Sequence, residues 1–157
     1  MTKIQFTLDG KKTVIDTDPS RRFLDVLRHD MEKTGPKEGC GEGECGACAV
    51  LIDGHVVNTC ILPAANVDGK DVMTIEGFSK TRRHEIITHA FEQEGGVQCG
   101  FCTPGMIIAT ESLLSKNPHP SEEEIRIGLS GNLCRCTGYD MIVKAVKRAA
   151  REGDGLW

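Results

Sequence analysis

Eight cysteines fall into two sets of four, and each set can supply the thiolates of one inorganic centre. Cys40, Cys45, Cys48 and Cys60 follow C-x4-C-x2-C with a more distant fourth member, which is the plant-type spacing for a 2Fe-2S cluster. Cys99, Cys102, Cys134 and Cys136 combine a C-x2-C with a later C-x-C, again giving four thiolates, and no cysteine is left over. A 2Fe-2S cluster takes two thiolates per iron, so two complete sets predict two clusters and one task, the movement of electrons.

The residues around the first set have a mechanical reason to be there. From Gly39 to Cys48 the order is Gly, Cys, Gly, Glu, Gly, Glu, Cys, Gly, Ala, Cys. Three thiolates converging within so short a span drive the backbone through turns of positive φ, which glycine tolerates, and bring main-chain N–H groups towards sulfur. Gly41, Gly43 and Gly46 also satisfy G-x-G-x-x-G. A dinucleotide site would need a strand leading in and a helix leading out; neither flank fits, and Glu42 and Glu44 would repel a pyrophosphate. Cys99-Gly-Phe-Cys102 resembles a thioredoxin-like C-x-x-C, but that motif belongs beside a βαβ unit and stands without a second cysteine pair. Zinc is the alternative occupant, since four-cysteine sites built from pairs are common structural zinc sites, and it weighs more on the second quartet than on the first. His29, His55, His84, His89 and His119 are dispersed without ligand spacing. Gly131 and Gly138 read as turn formers beside the second quartet, and Asn132 and Thr137 as ordinary turn and cap residues.

These quartets require elements that hold them. Ile4, Phe6 and Leu8 alternate with polar residues, Asp9-Gly10 marks a turn, and Thr13 to Asp16 continues extended, which predicts a hairpin. Phe23, Leu24, Leu27 and Met31 stand at helical spacing and are closed by Gly35-Pro36. Ala49 to Ile52, Asp53-Gly54 and His55 to Val57 predict a second hairpin, Val72 to Ile75 one more strand, and the set suggests a β-grasp ferredoxin-like sheet crossed by a helix. After Gly77 the period changes. Ile86, Ile87, Ala90 and Phe91 predict one amphipathic helix, and Met106, Ile107, Leu113 and Leu114 after Thr103-Pro104 a second. Ser121 with Glu124 forms a capping box for a third, and Ile142, Val143, Val146, Ala149 and Ala150 define a fourth. The expected class is therefore α+β: a β-grasp domain over residues 1–78 and a four-helix bundle domain over 79–157. Each late cysteine pair precedes a helix start, so two helix N-termini are expected to face one anionic cluster.

Composition narrows the class further. The chain has 157 residues and a formal net charge of -4, with basic residues scattered apart from Lys80, Arg82, Arg83 and the Lys144 to Arg151 stretch. Nucleic acid is not an expected partner, and the basic stretch reads as the solvated face of a helix. No apolar run suits a signal peptide or a membrane span, so a reducing cytoplasm is expected, where disulfides are rare.

Three strings carry a resemblance: GCGEGECGACAVLIDG from Gly39 to Gly54, QCGFCTPGM from Gln98 to Met106, and GNLCRCTGY from Gly131 to Tyr139. In order and spacing, over essentially the whole chain, they resemble the small iron-sulfur subunit of the molybdenum hydroxylases, the xanthine dehydrogenase family. The resemblance implies that this chain is the electron-transfer subunit of an oxidoreductase, inactive alone on organic substrate, in a hetero-oligomer with a large molybdopterin subunit and an FAD-binding subunit. It further implies flow from molybdenum through the helical-domain cluster and then the plant-type cluster to FAD. All eight cysteines carry over as metal ligands, and Gln98 and Cys136 match positions that approach the pterin. An aromatic N-heterocycle, a purine or a pyridine acid such as nicotinate, is the expected substrate of the assembly. An autonomous two-cluster ferredoxin and a zinc-stabilised interaction module are the competing readings.

Overall fold

The computed structural model describes all residues from Met1 to Trp157. Strands β1 (Thr2–Leu8), β2 (Lys11–Thr17), β3 (Ala49–Ile52), β4 (His55–Asn58) and β5 (Asp71–Met73) form one sheet in the order β2-β1-β5-β3-β4. Only β1 and β5 run parallel, with Leu8 opposite Val72. Both hairpins turn on Asp-Gly pairs with positive φ at each residue (Asp9 50°, Gly10 79°; Asp53 49°, Gly54 78°). This turn matches the twist of the flanking strands, which is why the two dipeptides were readable as hairpins.

The helix expected from Phe23 is shorter and wider than its spacing suggests. It is α-helical only over Phe23–Asp25 (α1) and continues as one π turn, Val26–Asp30, where Met31 N donates to Val26 O at 3.1 Å. The cause is a double demand on burial. Phe23, Val26 and Leu27 pack into the sheet's core, with Phe6 and Phe23 edge to face, while Leu24 packs instead against Cys48 and Cys60. One narrow helical stripe cannot serve two separate contacts, and widening the turn lets it do so.

The strand expected over Val72 to Ile75 also ends early. Asp9 accepts from the Thr74 backbone N–H at 2.8 Å and from its hydroxyl, and Lys33 pairs with the same carboxylate at 2.8 Å. Thr74 thereby becomes the N-cap of a short helix, α2 (Ile75–Phe78), which leads to the helical half.

There α3 (Arg82–Gln93), α4 (Thr103–Leu114), α5 (Glu122–Gly128) and α6 (Asp140–Glu152) make the expected four helices. The capping box of Ser121 and Glu124 is formed, and Ile142, Val143, Val146, Ala149 and Ala150 are the buried stripe of α6. The basic face of α6 is solvated and also paired, Lys147 with Glu122 and Arg148 with Glu94 and Glu152. Helix α4 departs from expectation: instead of one apolar face it is buried almost all round from Gly105 to Leu114, because α2, α3, α5, β3 and β4 pack on it from different sides. Its one buried carboxylate, Glu111, receives Arg83 at 2.7 Å, the Ser115 hydroxyl at 2.9 Å and the Trp157 indole N–H at 2.8 Å. A buried charge without such partners would be strongly destabilising. No helix is long and apolar enough to cross a membrane.

Two candidate cluster cradles and the seam between them

The glycine-rich loop wraps Cys40 in backbone donors. The N–H groups of Glu42, Glu44 and Cys45 all reach its Sγ, at 3.4, 3.3 and 3.4 Å. These three hydrogen bonds favour the thiolate and bring the Cys40 thiol down to about 6. Lys37 N donates to Ala47 O at 2.9 Å across the loop's mouth, and Asn58 Nδ2 donates to Gly43 O at 2.7 Å from the end of β4. Cys60 follows on a 3-10 turn, Thr59–Ile61, and the Thr59 hydroxyl donates to Cys48 O at 2.8 Å. Cys48 and Cys60 are buried against Leu24, and that burial, with the neighbouring Cys48 sulfur, pushes the Cys60 thiol up to about 11. The sequence-predicted set is thus assembled, one pair at the loop's surface and one beneath it.

The second quartet is built from two helix beginnings. Cys102 is the N-cap of α4 and Tyr139 that of α6, so each cysteine pair does stand at a helix start. Cys99 and Cys136 are exposed, with Sγ atoms 3.6 Å apart; Cys102 and Cys134 lie deeper. Burial, followed by the Cys134 sulfur beside it, pushes the Cys102 thiol up to about 12. Burial pushes Cys134 up as well, but the hydroxyl and backbone of Thr137 and the backbone of Cys136 outweigh it and bring that thiol down to about 7. Gln98 is exposed next to Cys99, and Phe101 and Leu133 are exposed apolar side chains beside the same quartet.

One sulfur pair stands at the separation of two ligands on a common metal. Sulfurs on one tetrahedral metal at about 2.3 Å stand about 3.8 Å from each other, close to the Cys99 to Cys136 separation of 3.6 Å.

Sequence reasoning missed three functional-site residues. Tyr139, expected only to start a helix, sits at φ 71° and accepts a hydrogen bond from Cys134 N on its hydroxyl at 2.9 Å. Thr137, read as a cap, donates its hydroxyl to Cys134 Sγ at 3.2 Å. Asn132, read as a turn residue, is buried and donates to Gly46 O at 3.2 Å. That last bond joins the two cysteine loops. Beside it Leu133 N donates to Cys45 O at 2.9 Å, so a cysteine of the first set and the neighbour of a cysteine of the second share a hydrogen bond. The glycines here are required by closeness: a Cβ on Gly46 would run into Gly131 O and Asn132, and a Cβ on Gly105 into Gly46 O. Nothing in either local motif announces this seam, because its partners are 86 residues apart.

Comparison with known proteins agrees with this geometry. Residues 6–74 match the 2Fe-2S iron-sulfur cluster binding domain family and residues 74–147 the 2Fe-2S binding domain family. The nicotinate dehydrogenase small FeS subunit of Eubacterium barkeri is 47% identical over 146 residues, covering 93% of this chain and 93% of the relative. The xanthine dehydrogenase iron-sulfur-binding subunit of Escherichia coli O157:H7 is 43% identical over 148 residues, covering 91% of each. Among solved structures, quinoline 2-oxidoreductase from Pseudomonas putida 86 superposes with a TM-score of 0.90 at 39% identity, over 97% of this chain and 94% of that one.

Proposed function

The chain belongs to the small iron-sulfur subunits of the molybdenum hydroxylases, the xanthine dehydrogenase family, and on that premise we propose that it carries electrons from a molybdopterin site in a large partner subunit to FAD in another. The observation that carries this reading is the seam: two four-cysteine cradles joined through the hydrogen bond from Leu133 N to Cys45 O. A chain built to hold two clusters as independent domains would need no such contact. In this reading Cys40, Cys45, Cys48 and Cys60 hold one cluster and Cys99, Cys102, Cys134 and Cys136 the other, with domains at 1–78 and 79–157. Each bound cluster would take up and return one electron; the protein's part is to fix the sulfurs, donate hydrogen bonds to them and exclude water from one side.

The order is taken from the family resemblance: the helical-domain cluster is assigned to the pterin side, with Gln98 and Cys136 facing the cofactor, and the plant-type cluster to the flavin side. The exposure of Cys99 and Cys136 is compatible with a partner seated there. The nicotinate dehydrogenase relative supports an aromatic N-heterocycle as the substrate of the assembly, a pyridine acid or a purine. A reducing cytoplasm suits eight unpaired thiols.

Rapid mixing of the assembled complex with its substrate, without oxygen, tests the order. Cys48→Ser should leave reduction of the helical-domain cluster intact while flavin reduction and turnover collapse. Flavin reduction at the wild-type rate in that variant would overturn the relay. Co-purification with two larger chains separates this reading from an autonomous two-cluster ferredoxin. A colourless protein would instead be the zinc-stabilised module.

A further inference from the structure

The two cradles differ in what reaches the sulfurs. Cys40 Sγ is met by the backbone N–H groups of Glu42, Glu44 and Cys45, whereas Cys134 Sγ receives, besides main-chain groups, a side-chain hydroxyl, that of Thr137, at 3.2 Å. The direction of that bond is fixed by its neighbours. Tyr139 N donates to the Thr137 oxygen at 3.3 Å, occupying one lone pair, so the single hydroxyl proton remains for the sulfur, and a metal-bound thiolate can only accept. The ring is closed by Cys134 N donating to the Tyr139 hydroxyl at 2.9 Å. Thr137 is only 8% exposed, so water does not compete for the proton. Tyr139 is held in the left-handed region at φ 71°, a conformation that costs a non-glycine residue about 1–2 kcal/mol and persists only where its surroundings enforce it.

Resting on the electron-transfer reading above, we infer that Thr137 is a positioning residue that raises the reduction potential of the helical-domain cluster through its O–H···S bond to Cys134, with Tyr139 locking the hydroxyl in place. The added electron increases negative charge on the cluster and its sulfurs, so a donor aimed at a sulfur stabilises the reduced form more than the oxidised form. The first cluster has its donors in the main chain, where no side-chain substitution removes them. The second has a donor that a single substitution deletes, and so a potential that can be set independently of its neighbour's.

The test is an EPR-monitored redox titration of the cluster-loaded protein, in which the signal lost in Cys45→Ser identifies the first cluster. Thr137→Val, of similar shape but without the hydroxyl, should shift the helical-domain midpoint downwards and leave the first midpoint where it is. Thr137→Ser should restore it. An unmoved helical-domain midpoint in Thr137→Val, or equal shifts of both midpoints, would overturn the inference and leave the electron-transfer reading standing. A wild-type protein without two 2Fe-2S signals would overturn both. Should Thr137→Val fail to retain the helical-domain cluster, Thr137→Ala and Thr137→Ser decide: retention in serine and loss in alanine supports the hydroxyl, as does a lower midpoint in alanine than in serine. Equal midpoints in alanine and serine, or loss in both, assign Thr137 to packing alone.

Discussion

The two cysteine cradles solve one problem with different materials. The first is a loop whose sulfur donors are main-chain amides and whose deeper cysteines, Cys48 and Cys60, rest on Leu24. The second borrows the starts of two helices and one ring of side-chain bonds through Thr137 and Tyr139, and leaves Cys99 and Cys136 open. A cradle made of backbone is insensitive to side-chain change but needs glycine to reach its geometry. A cradle made of helix ends needs no glycine run, yet depends on a few particular side chains.

The largest effect should come from taking one cradle away. Cys48→Ser and Cys102→Ser should each reduce iron from about four to about two atoms per chain, with loss of one EPR signal and survival of the other. Loss of both signals in a folded protein would erase the distinction between the cradles. Next comes the seam they share. Gly46→Ala places a methyl group against Gly131 O and Asn132 at a residue with φ of 72°, and should cost about 2–4 kcal/mol in denaturant unfolding. It should also weaken the magnetic interaction between the two reduced clusters. Asn132→Ala removes the bond to Gly46 O, and about 0.5–1.5 kcal/mol is expected, because that carbonyl keeps the bond from Ala49 N.

Finer still is the contrast in exposure. In the isolated chain, a chelator under reducing conditions should strip the helical-domain cluster before the plant-type one, read as the order in which the two EPR signals vanish. The reverse order would mean that burial of Cys48 and Cys60 does not protect the first cluster. Smallest is Tyr139→Phe, which removes the acceptor for Cys134 N. About 1 kcal/mol of stability should be lost, with a changed line shape in the helical-domain signal and none in the other.

What could be read from the sequence follows the same division. The first cradle was legible because glycine and cysteine are locally informative: Gly41 and Gly43 answer turns of positive φ within the loop, and the Asp-Gly pairs at 9–10 and 53–54 fix hairpins within two residues. Both halves of the α+β fold were legible from the change of apolar period. The π turn after α1 was not, since it arises from Leu24 serving the cysteines while Phe23, Val26 and Leu27 serve the sheet. Nor was the burial of α4 on almost all sides, which depends on where five other elements come to lie. Thr137 and Tyr139 carry the signature of ordinary cap and turn residues, and only the folded loop shows that one hydroxyl meets a sulfur and the other an amide.

Helix α4, buried almost all round from Gly105 to Leu114, has a consequence for speed. Cys102 caps its start, and Gly105 in its first turn lies against the backbone of Gly46 in the other cradle. Electrons cross such gaps by tunnelling, whose rate falls exponentially with distance. A close-packed interior is nearly incompressible, so a helix gripped from almost every side behaves as a gauge block between the two cradles, and thermal motion has little room to open the gap that an electron must jump.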